Sequence, residues 1–472
     1  MPTKEFFMKL NFWNHIKQIN FRHNHESLQN SIKEGAAYSV MNGFGKEYLS
    51  TFAVFLKASS MHLAFLNSFP TLMSSIFQLF GAKITEYTGE RLKIILHAVL
   101  LQAIIWLPLF FLPLFFKEHS LLIIIIFATL INMLEAVFAP AWNSLMGDIV
   151  RQDERGVYFG RRNKICGAIS FVSVVIAGLI LAFFESYNKW IGFFIVFVIA
   201  CAARIVSYSY MHKIYDPGYK VSLVKKYTFI EFFQSIKNTN FGKFVLFNAL
   251  FKFAENVASP FFVAFLLLSA GYSYLELTIV LCASAVTSFM VMMYWGRNAD
   301  LFGNRNVLVV CSLLIPLVPF SWTISNSIYW LIIAQCFSGF VWSGYNLASS
   351  NFIFDTVPSE HRAKGVAIYN FFWGVALFIG SVLGGLLLSY LIKAPLRYNN
   401  FISSPYEIVF VLSACLRMIV VLLYLPSFKE VRKVRSKEMP VLFFELVAVK
   451  PISGVAIKTV HGFEQTVDKI KE

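Results

Sequence analysis

Long, uninterrupted apolar segments recur along this chain, and no other feature narrows its possible folds as much. Stretches such as 91–116, 121–147 and 405–426 run to about 20 residues, the length of helix that crosses a hydrocarbon core of roughly 30 Å. A large soluble protein with an apolar core is the alternative, and composition closes it: 14% of residues are charged, against about 25% in soluble domains. The runs are continuous rather than alternating, so the strands of a membrane barrel are excluded too. The chain reads as an all-α membrane protein.

Twelve spans are read at roughly 36–57, 60–81, 92–116, 121–147, 163–185, 190–211, 243–268, 273–295, 306–325, 328–354, 364–391 and 405–426. With a cytoplasmic N-terminus, 32 of the 41 basic residues fall on inward segments, while the outward loops hold five: Lys57, Lys117, Lys189, Lys393 and Arg397. That bias places both termini in the cytoplasm and the protein in the cytoplasmic (inner) membrane. The predicted organisation is a cytoplasmic segment (1–33), a six-helix bundle (34–211), a basic cytoplasmic link (212–242), a second bundle (243–428) and a cytoplasmic tail (429–472). Within the tail, "VLFFELVAV" is too short to span and reads as an interfacial helix or a surface strand. The first 33 residues hold no apolar run of a signal peptide, so the first span is expected to direct insertion.

A net charge of +15 needs no nucleic acid to explain it, because basic loops facing anionic lipid account for it. The six cysteines (166, 201, 282, 311, 336 and 415) lie in or beside apolar segments without a C-x-x-C pattern. Neither disulfides nor a metal site is expected. The lipid bilayer and a small-molecule solute are the partners implied, no cofactor is, and the chain is expected to be a monomer.

The chain repeats itself. "AKITEYTGERLK" (82–93) follows the second span as "GRNADLFGNRNV" (296–307) follows the eighth, so that Glu86, Gly89 and Arg91 recur as Asp300, Gly303 and Arg305 at a shift of 214. "IVFVIACAAR", ending at Arg204, matches "IVFVLSACLR", ending at Arg417. Asp148, Arg155 and Asn163 recur as Asp355, Arg362 and Asn370, and Glu47 recurs as Glu255. Similar membrane segments would share apolar letters, not charged letters in matching order. The chain therefore reads as two homologous six-span halves.

The segment "GRNADLFGNR" resembles the signature turn of the major facilitator superfamily, with Gly296, Asp300, Gly303 and Arg305 in the matching places. Asn304 replaces a usual basic residue, and the first-half copy has Ala82, Glu86 and Glu90 where the pattern has Gly, Asp and a basic residue. The resemblance covers about residues 34–428. Within the family, "RGVYFGRRN" and "GFGKEYLSTFAVFLKAS" are similar to a bacterial subgroup of mostly uncharacterised members. It implies twelve transmembrane helices in two pseudo-symmetric six-helix bundles, with the first and seventh lining a central cavity. Glycines suit a tight turn between helix ends. Glu86, Gly89, Arg91, Gly296, Asp300, Gly303 and Arg305, with Asp148, Arg155, Asp355 and Arg362, are candidates for a cytoplasmic gate whose charge pairs break as it opens. The rival reading is a solvated loop at the lipid surface.

Charges inside spans need a partner or a wet cavity. Depth suggests two pairs within halves, Glu47 with Arg204 and Glu255 with Arg417. The rival reading makes the carboxylates proton-coupling sites. Glu135 has no counterpart, because Trp342 stands at the equivalent place. With Asn132 and Asn143 in the fourth span and Trp342, Tyr345, Asn346 and Asn351 in the tenth, it is a candidate for the wall of a solute cavity near the midplane. Interhelical hydrogen bonding is the competing role for the asparagines. Gly374, Gly380, Gly384 and Gly385 in the eleventh span predict close helix contact.

Catalytic constellations are missing from the sequence. "GFGKEY" fails as a phosphate loop, since Val40 stands where the first Gly belongs and Glu47 where Ser or Thr belongs. No enzyme is expected. The expectation is a secondary active or facilitated transporter of a small solute, working by alternating access between its two halves. The alternative is a transport-inactive sensor or scaffold of the same fold.

Overall fold

The computed structural model of the chain describes residues 25–151, 154–218, 234, 239–357, 362–394 and 403–432. The first 24 residues, most of the 212–242 link and the tail from 433 onward, with its "VLFFELVAV" stretch, lie outside the described residues.

Twelve helical spans follow one another. α1 runs over 25–44, a 3-10 turn Lys46–Tyr48 and a short helix Leu49–Phe55. α2 is Ser60–Thr88, α3 Arg91–Phe115, α4 Ser120–Ile149, α5 Arg155–Glu185 and α6 Lys189–Met211. The second half repeats the series with α7 (Asn240–Ser269), α8 (Tyr274–Phe302), α9 (Asn304–Ser321), α10 (Ile328–Thr356), α11 (Arg362–Lys393) and α12 (Pro405–Tyr424). Among the described residues nine of these, α3–α9, α11 and α12, are long and apolar enough to cross a membrane. The other three are α1, with its mid-span break and charges, and α2 and α10, which carry runs of Ser, Thr, Asn and Gln.

Local sequence explains the boundaries. Ser59 and Ser273 each close a capping box at the start of α2 and α8, with His62 and Glu276 returning the bond. Several helices run past their apolar letters: α1 is already helical at 25 and α5 begins at Arg155, where 36 and 163 were expected. Hydropathy marks only the length immersed in hydrocarbon, and polar turns beyond it stay helical when their side chains find protein partners. In α1 those partners are real: Ser27 Oγ accepts from the backbone N–H of Tyr215, and the buried Glu34 accepts from Arg162 and Ser207. Both leading helices break mid-span. α1 does so at Gly45; α7 does so after Asn256, at Pro260, which has no N–H to donate.

α2 packs on α11, and α5 on α8, across the two halves; within them α4 lies against α2 and α3, and α10 against α8 and α9. The glycines of α11 sit at its close approaches, as predicted. A Cβ at Gly380 or Gly384 would overlap the backbone carbonyls of Phe253 or Val257 on α7, and one at Gly374 or Gly385 would press on α2.

We call the side bearing the start of α1 and the ends of α6 and α12 the linker face. At the opposite face one apolar core joins both halves, with Phe52, Trp106 and Phe193 alongside Phe261, Leu277 and Trp322. Toward the linker face the core divides in two. Ile95, Val99, Leu145 and Met211 belong to the first half alone, and Phe244, Val307, Phe352 and Phe428 to the second alone.

Candidate functional site

Ser27, Ser31, Glu34 and Tyr38 recur every three or four residues, so α1 presents one polar stripe to its own bundle. There Glu34 is buried and serves two guanidiniums. Its Oε2 accepts from Arg162 Nη2 of α5 at 3.2 Å. Its Oε1 accepts from Ser207 at 3.0 Å and lies 3.6 Å from Arg204 Nη1 of α6. Arg204 is fully buried, and its shortest bonds run to neutral oxygens: Nε and Nη2 donate to Gln102 Oε1 at 2.9 and 2.5 Å, and Nη1 donates to Ser207 Oγ at 2.8 Å. Its guanidinium also lies over the rings of Tyr38 and Phe138, at 5.0 and 5.7 Å. Beside this group, Glu135 of α4 accepts from Lys46 Nζ at 2.5 Å and from the Tyr38 hydroxyl at 3.0 Å. Glu34, Tyr38, Glu135, Arg162 and Arg204 border a cavity of about 230 Å³ whose walls include Phe138, Ala139 and Trp142, with Arg162 stacked over Trp142 at 4.6 Å.

The second half uses the matching positions differently. Ala254 stands opposite Lys46, and the lysine of α7, Lys252, lies two positions earlier, 2.8 Å from Glu255 on its own helix and over the rings of Trp373 and Trp342, at 4.5 and 5.8 Å. Lys46 therefore crosses to a carboxylate on α4, whereas Lys252 pairs with a carboxylate of its own helix and crosses to an indole on α10. Tyr345 is buried and donates to Asn248 Oδ1 at 2.7 Å.

The two expected arginine–glutamate pairs do not form as read. Arg204 meets Glu34, thirteen residues before Glu47 on α1, a separation of roughly 20 Å at 1.5 Å per residue. Glu47 itself is exposed, and among the described residues no cation lies within ion-pair distance of it. The structural-pair reading of Glu47 is therefore lost. Arg417 reaches Glu255, but through the backbone carbonyl at 3.3 Å, while the carboxylate goes to Lys252. Depth along a span was legible; the direction a side chain takes around the helix was not.

Of the other cavity candidates, Asn132 donates to Ala128 O of its own helix, and Asn143 and Asn346 are exposed. None of the three borders the 230 Å³ cavity. Asn351 donates to Asn304 Oδ1 at 3.4 Å, and Asn304 to Asp355 at 2.6 Å, so it belongs to the linker-face end of α10.

The repeated turns lie at the linker face. Gly89 ends α2 at φ +66 and Gly303 ends α8 at φ +91. Gly296, read as part of the turn, sits inside α8 instead. Arg91 is fully buried and bridges Asp148 at 2.7 Å and Asp216 at 2.9 Å. In the second half Arg305 donates its backbone N–H to Glu430 at 2.8 Å and its Nε to Phe428 O at 2.7 Å. Arg155 and Arg362 each cap the carbonyl eight residues back, Gly147 O and Phe354 O, where a cation complements the end of a helix. Asp300 is exposed, 3.8 Å from Arg432. The side chain of Glu86 lies outside the described residues. Every pair named here stays within one half.

Sequence reasoning missed Glu34, Tyr38, Arg162, Asp216 and Glu430. The stripe through Ser27 and Ser31 would have exposed the first two. Asp216 and Glu430 are themselves 214 residues apart, so the same shift carried beyond the sixth and twelfth spans would have found them.

The family model of the Major Facilitator Superfamily matches residues 36–237 and 244–460. The multidrug resistance protein fnx1 of Schizosaccharomyces pombe (strain 972 / ATCC 24843) is 30% identical over 108 residues, 23% of this chain and 20% of the relative. The chain aligns with a fifth to a third of the length of the curated relatives it matches. Among solved structures, a mutant of the nucleoside transporter NupG is similar with a TM-score of 0.67 at 13% identity, covering 86% of this chain and 100% of that one. A bacterial homolog to the human lysosomal transporter Spinster, inward-facing and unoccupied, gives 0.58 at 16%, covering 86% and 97%. Identities this low speak for a shared fold. Among the described residues no group of three or more His, Cys, Asp or Glu could hold a metal ion.

Proposed function

The chain belongs to the Major Facilitator Superfamily, and from that membership we propose that it moves a small solute across a lipid bilayer by alternating access of its two six-helix halves, as secondary active or facilitated transport. One observation carries the reading: the halves share a dry core at the opposite face and keep separate cores at the linker face. A transporter caught open on one side has this distribution, because interfaces that rock must be sealed at one end and parted at the other. The basic residues crowd the linker face, so we assign that face to the cytoplasm, the open state to an inward-facing one, and the protein to the inner membrane as a monomer. The Spinster homolog solved inward-facing supports the same assignment.

Reconstitution into proteoliposomes tests it. A thermal-stability screen across sugars, amino acids, nucleosides, organic acids and drugs first identifies a ligand, since one present at 100 times its dissociation constant stabilises by about 2.7 kcal/mol. That ligand is then followed as a radiolabelled solute. Saturable uptake that is reduced by Glu135→Gln is the expected result. Binding without uptake in protein shown to be correctly inserted would overturn transport.

A further inference from the structure

We propose that the chamber between α1, α4, α5 and α6 seats a singly charged oxyanion, the carboxylate end of the solute. This assignment rests on the transport reading in taking the anion to be the cargo. Two arginines and two carboxylates line the chamber, and a third cation, Lys46, is bound to one of those carboxylates, Glu135. Lys46 and Glu135 close on each other, and Tyr38 satisfies the second oxygen of that carboxylate. Two guanidiniums then remain for Glu34 alone, both of whose oxygens are already engaged. Arg204 is the less well compensated. It is sealed from solvent, bonded most closely to an amide oxygen, and its nearest carboxylate oxygen is 3.6 Å away. A buried cation with a shared counterion favours the arrival of one negative charge. Arg162, at the rim, offers the planar donor fork that suits a carboxylate.

Size and shape narrow the occupant. The chamber of about 230 Å³ holds the equivalent of about eight waters at roughly 30 Å³ each, below the roughly 300–1,000 Å³ of pockets that engulf a drug-sized ligand. It fits an end group rather than a whole solute. Phe138, Ala139 and Trp142 supply an apolar wall for the carbon next to that group. An ammonium group meets two arginines and a glutamate already held by lysine. The second half has no such set, since Tyr369 and Trp342 stand at the places of Arg162 and Glu135. The anionic end therefore belongs to the first half.

The test uses the full chain in lipid nanodiscs at fixed ionic strength, with four probes of one shape: 3-phenylpropionate, its amide, 3-phenylpropylamine and phenyl phosphate. Thermal unfolding and tryptophan fluorescence, with Trp142 in the wall, report binding. The expected result is a saturable response to the carboxylate, weaker for the phosphate and absent for the amide and amine. Arg162→Gln should weaken binding by about tenfold or more, as loss of a charged hydrogen bond does, with Arg162→Lys between. Ala139→Leu keeps every charge and fills the space, so it should abolish binding even if the arginine variant folds poorly. An equal response to the amide or amine, no response to any probe, or binding that survives Ala139→Leu would overturn the site. Carboxylate that binds but is not carried in proteoliposomes would overturn its role as cargo and leave the site standing. Uptake of a neutral solute without carboxylate binding would do the reverse.

Discussion

Gly303 turns the chain at φ +91 directly beneath the Glu430 carboxylate, whereas Gly296 lies within α8 with only Leu347 Cδ2 nearby, 3.8 Å from where its Cβ would stand. Gly303→Ala combines backbone strain with overlap and should cost about 1–3 kcal/mol. Gly296→Ala should be neutral or gain about 0.5–1 kcal/mol, as alanine does in a helix interior. Chemical unfolding in mixed micelles separates the two. The pair Lys46–Glu135, with side chains only 16% and 21% exposed, should behave as a unit. Lys46→Gln and Glu135→Gln each leave a lone charge, and the double variant should lose less than the sum, with a coupling of about 0.5–3 kcal/mol in the same assay. Charged letters inside spans were legible as residues that need partners. Their partners were not, because Arg204 turns toward Glu34 and lies far from Glu47, and a one-dimensional pattern does not record rotation about a helix.

Each half ties its last segment back to its first helix and its middle turn. Tyr215 N–H donates to Ser27 Oγ at 3.0 Å and Lys429 N–H to Asn240 Oδ1 at 2.7 Å, at matching places in the two halves. Asp216 and Glu430, one residue on, then hold Arg91 and Arg305. These straps make the end of α6 dependent on a single carboxylate. Asp216→Asn should cost about 1.5–3 kcal/mol, the worth of hydrogen bonds to a charged group, and should speed amide exchange at the end of α6 and in 213–218, read by hydrogen-exchange mass spectrometry. Asp148→Asn should cost less, since that carboxylate is half exposed. The element count and most spans were legible from apolar length. Helix ends at the linker face were not, because 25–35 of α1 is polar in letters and only one stripe of it, through Ser27, Ser31 and Glu34, is buried by neighbours, so its helicity depends on tertiary contacts that hydropathy does not contain.

At the scale of the molecule, the two-half architecture followed from charged letters repeating in order, while the open side did not, since both states are built from the same spans. Asn370 of α11 donates to Gln78 of α2 across the halves at 3.0 Å. In a chain freed of its six cysteines, Gln78→Cys with Asn370→Cys should form a disulfide under mild oxidation. Solute flux should stop and return on reduction, followed in proteoliposomes; full flux in the cross-linked protein would contradict a rocking motion of the halves. The shared core at the opposite face has a thermal consequence. Opening there wets side chains now dry, such as Phe193 against Tyr274, and newly hydrated apolar surface carries a large positive heat capacity. The force that keeps it dry weakens on cooling. The balance between the two openings therefore curves with temperature, and chilling moves the molecule toward the side that is shut in this structure.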